Sequence, residues 1–197
     1  MEDVVKEWLQ LAIAGDADAF GNLVESYHQP VYNLCYRMLG DQYEAEDAAQ
    51  EAFLRAYKSL DRYDSTRSFS TWLLSIAAHY CIDQLRKRRM KLVSLDALPY
   101  QELRDPSPNP EGSLRYSEDQ QQVRALLEIL SPTDRAAVVM RYWYDFSYDE
   151  ISNALNLSLS AVKSRLHRAR RTLAQSWSDR SCQTLNHERK YHESPAL

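Results

Sequence analysis

Turn-forming residues are scarce. The 197 residues hold 4 glycines and 7 prolines, and four of those prolines (Pro99, Pro106, Pro108, Pro110) fall in one short segment. Long stretches therefore contain no breaker, and an all-α fold is expected. The three cysteines, at 35, 81 and 182, are odd in number, far apart and without a CxxC pair, which excludes a disulfide framework and gives no zinc spacing. Cys35 and Cys81 sit in apolar helical context and read as small core residues. No run is long and apolar enough to span a membrane, and the start, MEDVVKEW, carries acids where a signal peptide needs cations. A cytoplasmic protein is expected. There is no phosphate-cradling Gly loop, no nucleophile–base pair and no cluster of metal ligands, since His187 and His192 stand isolated. Neither catalysis nor a metal or other cofactor is expected.

What is present suffices for a core: 44% of residues are hydrophobic and 26% charged, with a net charge of −4. A freestanding DNA binder is usually basic. Here the cations gather in two places instead, so the free chain is expected to bind DNA poorly and to need a larger partner. The first cluster closes the segment FSTWLLSIAAHYCIDQLRKRRMK, residues 69–91. From Trp72 to Ile82 it is apolar almost all round, as in a helix packed on more than one side. Ser68 or Ser70 is placed to cap it. It ends in Arg86, Lys87, Arg88, Arg89 and Lys91, more cations than a helix dipole needs, so an anionic partner is indicated.

Before this segment, Val4 to Met38 shows helical spacing interrupted at Gly15-Asp16, with Pro30 either starting a new helix or kinking a continuing one. Gly40-Asp41 reads as a C-cap and turn. The next helix, Asp41 to Leu60, turns Ala48, Ala49, Ala52, Phe53, Ala56 and Leu60 inward. Glu44, Asp47 and Glu51 align on another face with Gln50 beside them, by themselves a solvated acidic face or a docking stripe. DRYDSTR (61–67) is a polar loop with one aromatic, Tyr63. After the proline-rich segment, helix resumes near Glu118 and stops at Ser131-Pro132, which caps and starts the next. Ser147-Tyr148-Asp149-Glu150 forms a capping box. A short helix, a tight turn at Asn156-Leu157 and a longer helix capped by Ser158 follow. Val162, Leu166, Ala169 and Leu173 form the longer helix's inner stripe, and no acid occurs between Ile151 and Ser178. A short helix, a tight turn and a basic-faced second helix make a helix-turn-helix.

Three motifs, AEDAAQEAFLRAY (45–57), FSTWLLSIAAHYCIDQLRKRR (69–89) and YDEISNALNLSLSAVKSRLHRARRTL (148–173), in this order and spacing, resemble the small extracytoplasmic-function sigma factors of bacterial RNA polymerase. The resemblance covers roughly residues 17–177. It implies two small helical domains joined by a flexible Pro-rich linker: a region 2 domain over 1–91 for core binding, −10 recognition and melting, the linker over 92–117, and a region 4 helix-turn-helix domain over 118–177 for −35 recognition. Residues 178–197 read as a disordered tail. Asp47, Gln50 and Glu51 are implied as polymerase contacts. Tyr63, Arg67, Phe69 and Trp72 are implied as the wall that captures a flipped −10 base, and His79, Asp83, Arg86 and Lys87 as −10 and phosphate contacts. Ser160, Lys163, Ser164, Arg165, His167 and Arg168 are implied as lying in or beside the major groove. Implied partners are core RNA polymerase, promoter DNA and an anti-sigma factor, with the free chain a monomer. Where primary sigma factors carry a further aromatic pair this chain has Ser75 and Ile76, so melting rests on fewer rings. Two other readings are weighed: a dimeric helix-turn-helix regulator, for which no apolar stripe is left over, and an enzyme using the Glu44–Glu51 acids, which lack a catalytic partner.

Overall fold

The computed structural model describes residues 2–95 and 114–192, with side chains described over 3–90 and 120–178. Among these residues all regular structure is helix, with no strand. Four helices, α1 (Glu2–Ile13), α2 (Ala17–Leu39), α3 (Gln42–Lys58) and α4 (Phe69–Leu95), make a first bundle, with one turn of 3₁₀ helix at Leu60–Arg62 leading into α4. Four more, α5 (Leu114–Glu128), α6 (Pro132–Trp143), α7 (Tyr148–Leu155) and α8 (Leu159–His192), make a second. The predicted linker falls mostly on residues 96–113, outside the described ones. At its edges α4 runs past Lys91 and α5 begins before Glu118.

Local chemistry sets most boundaries. The Asp16 carboxylate caps α2 by accepting from Asp18 and Ala19 N–H, at 2.9 and 3.0 Å. Pro30 does not start a new helix: it lies inside a continuous α2, where it forgoes one intrahelical N–H bond. Gly40 ends α2 at φ 77°, ψ 0°, its N–H donating to the Tyr36 carbonyl. Asp41 then caps α3 through Glu44 N–H at 2.9 Å. Alanines 45, 48, 49, 52 and 56 give α3 a smooth, fully buried inner face, which lets α2 and α4 approach closely. Leu23, Val31, Leu34, Cys35 and Met38 meet Leu73, Ala77, Ala78 and Cys81 there, all buried. The two thiols are in hydrogen-bond contact, which with burial holds Cys81 well above the usual thiol range, as befits inert core cysteines.

In the second bundle Ser131 caps α6 with Pro132 in the first turn, and Ser147 and Glu150 form the reciprocal capping box of α7. Asn156 takes the left-handed conformation at φ 52°, and the Ser158 hydroxyl accepts from Ala161 N–H at 3.2 Å. Met140, Ile151, Val162, Leu166 and Ala169 fill the core, with Leu173 partly buried. The tail expected to be disordered from Ser178 is instead helix as far as His192. The physical reason is in the sequence: neither glycine nor proline occurs after Pro132 until Pro195, so nothing ends α8 earlier.

The bundles are not independent. α6 packs on α2 and α4, and α7 packs on α4. Arg135 Nη1 donates to the Met38 carbonyl at 2.6 Å, and Tyr144 Oη donates to the Pro30 carbonyl at 2.6 Å. The Arg37 guanidinium lies 5.2 Å from the Trp143 ring centre. Gly40 sits at this junction too, where an added Cβ would lie 2.8 Å from Arg124 Nε. Gly40→Ala is therefore expected to cost about 1–2 kcal/mol from the left-handed backbone alone. Displacement of Arg124 adds to that, and a thermal melt lowered by several degrees checks it. An unchanged melting temperature would refute this account of the turn.

Candidate nucleic-acid interface

The loop 61–67 and the start of α4 build an aromatic nook. Tyr63 packs against Trp72 (ring centres 5.1 Å apart) and edge-on against Phe69 (5.7 Å), while Phe69 also meets Tyr27 at 5.3 Å. The Tyr63 hydroxyl donates to the Arg67 carbonyl at 2.5 Å, and burial raises its pKa. The Asp64 carboxylate accepts from the Thr66 hydroxyl and N–H, which bends the loop and holds its pKa low. Ser68 stands at the cap position, its carbonyl accepting from Trp72 N–H, while its hydroxyl pairs with that of Ser70. Tyr63 and Trp72 are half-buried and Arg67 is exposed, within 3.7 Å of Asp64. Phe69 is only 4% exposed, so it backs the nook instead of lining it.

Along α4 the predicted contacts divide. His79 is half-buried, with Nδ1 2.9 Å from the Ser75 carbonyl. Asp83, Arg86 and Lys87 are exposed; Asp83 and Arg86 face each other at 3.8 Å. Arg86 also reaches Thr133 of α6 at 3.5 Å. Arg88, which α4's basic run places beside them, instead pairs with Glu44 of α3, and burial lowers its pKa. Glu44 thus leaves the acidic row. Asp47 and Gln50 remain exposed on α3, with Glu51 beside them. Glu51 accepts from Arg55 at 2.8 Å, and Arg55 also covers the Tyr80 ring of α4 at 4.8 Å.

On the helix-turn-helix, Ser160, Lys163, Ser164, His167 and Arg168 are exposed along one side of α8, over the buried Val162, Leu166 and Ala169. Arg165 differs: its Nη1 donates to Asp134 of α6 at 2.8 Å, with both side chains mostly covered. It braces α8 against α6, whereas the other five are exposed. Glu150 anchors the other end of the unit. Backbone N–H and hydroxyl donation from Ser147 holds its carboxyl below the usual range, and Thr71 of α4 adds a contact at 3.4 Å. Because the folded pKa is depressed, this stabilisation is present above the ordinary glutamate value and is lost as pH falls through the folded one. Glu150→Gln is expected to flatten the acid limb of stability, read by thermal melts from about pH 6 to about pH 3. An identical acid slope in variant and parent would refute this.

Sequence reasoning missed Arg135, Trp143 and Tyr144, whose partners lie about a hundred residues earlier. Outside these surfaces, a shallow groove between α2 and α3 is lined by His28, Tyr32, Tyr43 and Glu46, with His28 and Glu46 3.3 Å apart. Among the described residues no group of His, Cys, Asp and Glu side chains could hold a metal ion, and no helix is long and apolar enough to cross a membrane.

Residues 23–90 match the Sigma-70 region 2 family and residues 120–173 the Sigma-70 region 4 family. The ECF RNA polymerase sigma factor SigW of Bacillus subtilis (strain 168) is 36% identical over 88% of this chain and 96% of its own length. The chain belongs to the ECF RNA polymerase sigma factors. SigX of the same organism, also an ECF sigma factor, is 31% identical over 79% of this chain and 82% of its own. Two solved structures share the fold. CnrH, in complex with the cytosolic domain of CnrY, covers 90% of this chain and 99% of its own at 22% identity and TM-score 0.67. RpoE of Bartonella quintana, in complex with the anti-sigma factor NepR, covers 79% and 94% at 23% identity and TM-score 0.62. As an ECF sigma factor the protein serves RNA polymerase in promoter-specific transcription initiation. A dimeric helix-turn-helix regulator is not favoured.

Proposed function

We propose a division of labour for this sigma factor. Residues 1–91 dock on core polymerase through Asp47, Gln50 and Glu51 and open the −10 element at the nook of Tyr63, Arg67 and Trp72, with Phe69 behind it. His79, Asp83, Arg86 and Lys87 hold the −10 strand and the phosphates just upstream. Residues 118–177 read the −35 element with Ser160, Lys163, Ser164, His167 and Arg168, while Arg165 fixes the reading helix. The protein supplies no catalysis of its own, acts in the cytoplasm, is a monomer when free, and is held in check by an anti-sigma factor, as RpoE is bound by NepR. The observation that carries this reading is one chain presenting an exposed acidic face on α3, a half-buried aromatic nook before α4 and an exposed basic face on α8. Stacking and phosphate neutralisation are what those last two supply.

Reconstituted transcription tests it. The purified chain is added to core polymerase free of other sigma factors, with genomic promoter fragments that include the gene's own upstream region. Run-off transcripts that depend on the chain are expected. Co-elution with core without any transcript would overturn the promoter-opening assignments, and no co-elution would overturn the docking face as well.

A further inference from the structure

Helix α1 has no part in the division of labour above, and it precedes the residues that match region 2, which begin at Leu23. We infer that α1 is a positioning element for the −10 loop: it holds the turn Leu60–Arg62, and through that turn it sets the place of Tyr63 in the nook, without itself meeting DNA. The consequence for promoter opening rests on the function proposed above; the mechanical support does not.

The stripe that docks α1 is Val5, Trp8, Leu9 and Ala12, at helical spacing, with Leu9 and Ala12 buried and Val5 and Trp8 half-buried. The helix packs on α2 and on the turn Leu60–Arg62. In that turn Leu60 is buried, while Asp61 and Arg62 are exposed. The far end of α1 is tied as well. Asp16 N–H donates to the Leu11 carbonyl and Gly15 N–H to the Ala12 carbonyl, both at 3.0 Å, with Gly15 at φ 100°. A tight turn thus joins α1 to the capped start of α2.

The loop has few other anchors. Of residues 61–67 all but Tyr63 are exposed. Its hydrogen bonds are local: Arg62 N–H donates to the Ser59 carbonyl, Tyr63 N–H to the Leu60 carbonyl, Arg67 N–H to the Asp64 carbonyl and the Tyr63 hydroxyl to the Arg67 carbonyl. Bonds of that reach bend a loop but do not seat it on the protein. Its two ends seat it. At the exit Phe69 packs on Tyr27 of α2. At the entry the turn rests on α1 and on α3. Because α3 runs directly into the turn, α1 is the remote support. A shift at the entry moves Tyr63 relative to Trp72, one wall of the nook against the other. A loop that must order itself when a base arrives gives up affinity. The proposed docking residues of α3 precede the turn, on a helix packed against α2 and α4, so core binding is expected to be spared.

Leu9→Ala in the full chain tests this, with Val5→Ala as the milder change on the same stripe should Leu9→Ala not fold. Hydrogen–deuterium exchange is expected to quicken about five-fold or more over residues 60–67 and to stay within about two-fold over residues 43–51. Run-off transcription is read on two forms of a promoter recovered by the reconstituted assay, one fully paired and one pre-melted by mismatches across the −10 element. The variant is expected to lose about ten-fold on the paired form and no more than about two-fold on the pre-melted form, with core affinity within about two-fold of the parent. Leu9→Met should restore both readouts. Met38→Ala removes a fully buried side chain about three turns beyond Tyr27 on α2, and is expected to lower the melting temperature without the difference between templates. Unchanged exchange over residues 60–67 would overturn the support. No loss on the paired form, an equal loss on both forms, or a matching fall in core affinity would overturn the positioning role. The same difference between templates in Met38→Ala would overturn it too. If the parent transcribes from neither form, the proposed function has failed, and the exchange measurement still decides whether α1 holds the loop.

Discussion

Reversing both carboxylates of the α3 face, Asp47→Lys with Glu51→Lys, is expected to lower affinity for core polymerase about 100-fold while leaving helical content intact. Asp47 and Gln50 are exposed, and Glu51 pairs with Arg55 one turn later. The side of α3 that builds the core is a different one, the buried run of alanines with Phe53. Exposed pairs of this kind contribute about 0–1 kcal/mol to folding, so the fold should tolerate the change. At an interface, like charges set against each other cost several kcal/mol, and about 2.7 kcal/mol is a 100-fold change in affinity. Glu44 supplies the contrast. It lies one turn before Asp47 but pairs with Arg88 of α4, so Glu44→Gln should affect stability and leave core affinity within a factor of about three. Anisotropy of a labelled chain titrated with core measures both. A double reversal that binds core like the parent would mean that polymerase docks elsewhere.

That contrast shows what sequence does and does not carry. Caps and turns are chemistry among residues three or four apart, and there the sequence is legible: Gly40, Ser131-Pro132, the Ser147–Glu150 box and Asn156 stand as expected. Buried periodicity is legible for the same reason, since it follows the helix repeat. Exposure of a particular side chain depends on neighbours far away in the chain. Phe69 reads as a wall residue but is enclosed by Tyr27, Tyr63 and Trp72. Arg165 reads as a groove residue but has an acid 31 positions earlier to bind. Arg88 is taken from the basic run by Glu44 in the same way. The junction of the bundles was the least legible. Its acceptors are backbone carbonyls, which look alike at every position, and its donors lie 97 and 114 residues away from them.

The recognition helix gives the second large effect, and Arg165 makes it decisive. Lys163→Ala and Arg168→Ala are each expected to weaken binding of the holoenzyme to a promoter carrying its −35 element by about ten-fold or more, since a base or phosphate contact is worth about 1–3 kcal/mol. The kind of loss identifies the contact. A residue on phosphate should weaken all sequences alike and reduce the salt slope by about one, whereas a residue on a base edge should relax preference at one position with the slope nearly unchanged. Both side chains are exposed, so the melting temperature should hold. Arg165→Ala should do the reverse. It removes a mostly covered ion pair and leaves Asp134 with the Ser131 hydroxyl but no cation, so the melt should fall by a few degrees for a loss of about 1 kcal/mol while −35 preference persists. If Arg165→Ala instead changed the preferred −35 sequence at unchanged stability, its guanidinium would have to leave Asp134 for the groove, and α8 would have to turn on α6 when it meets DNA.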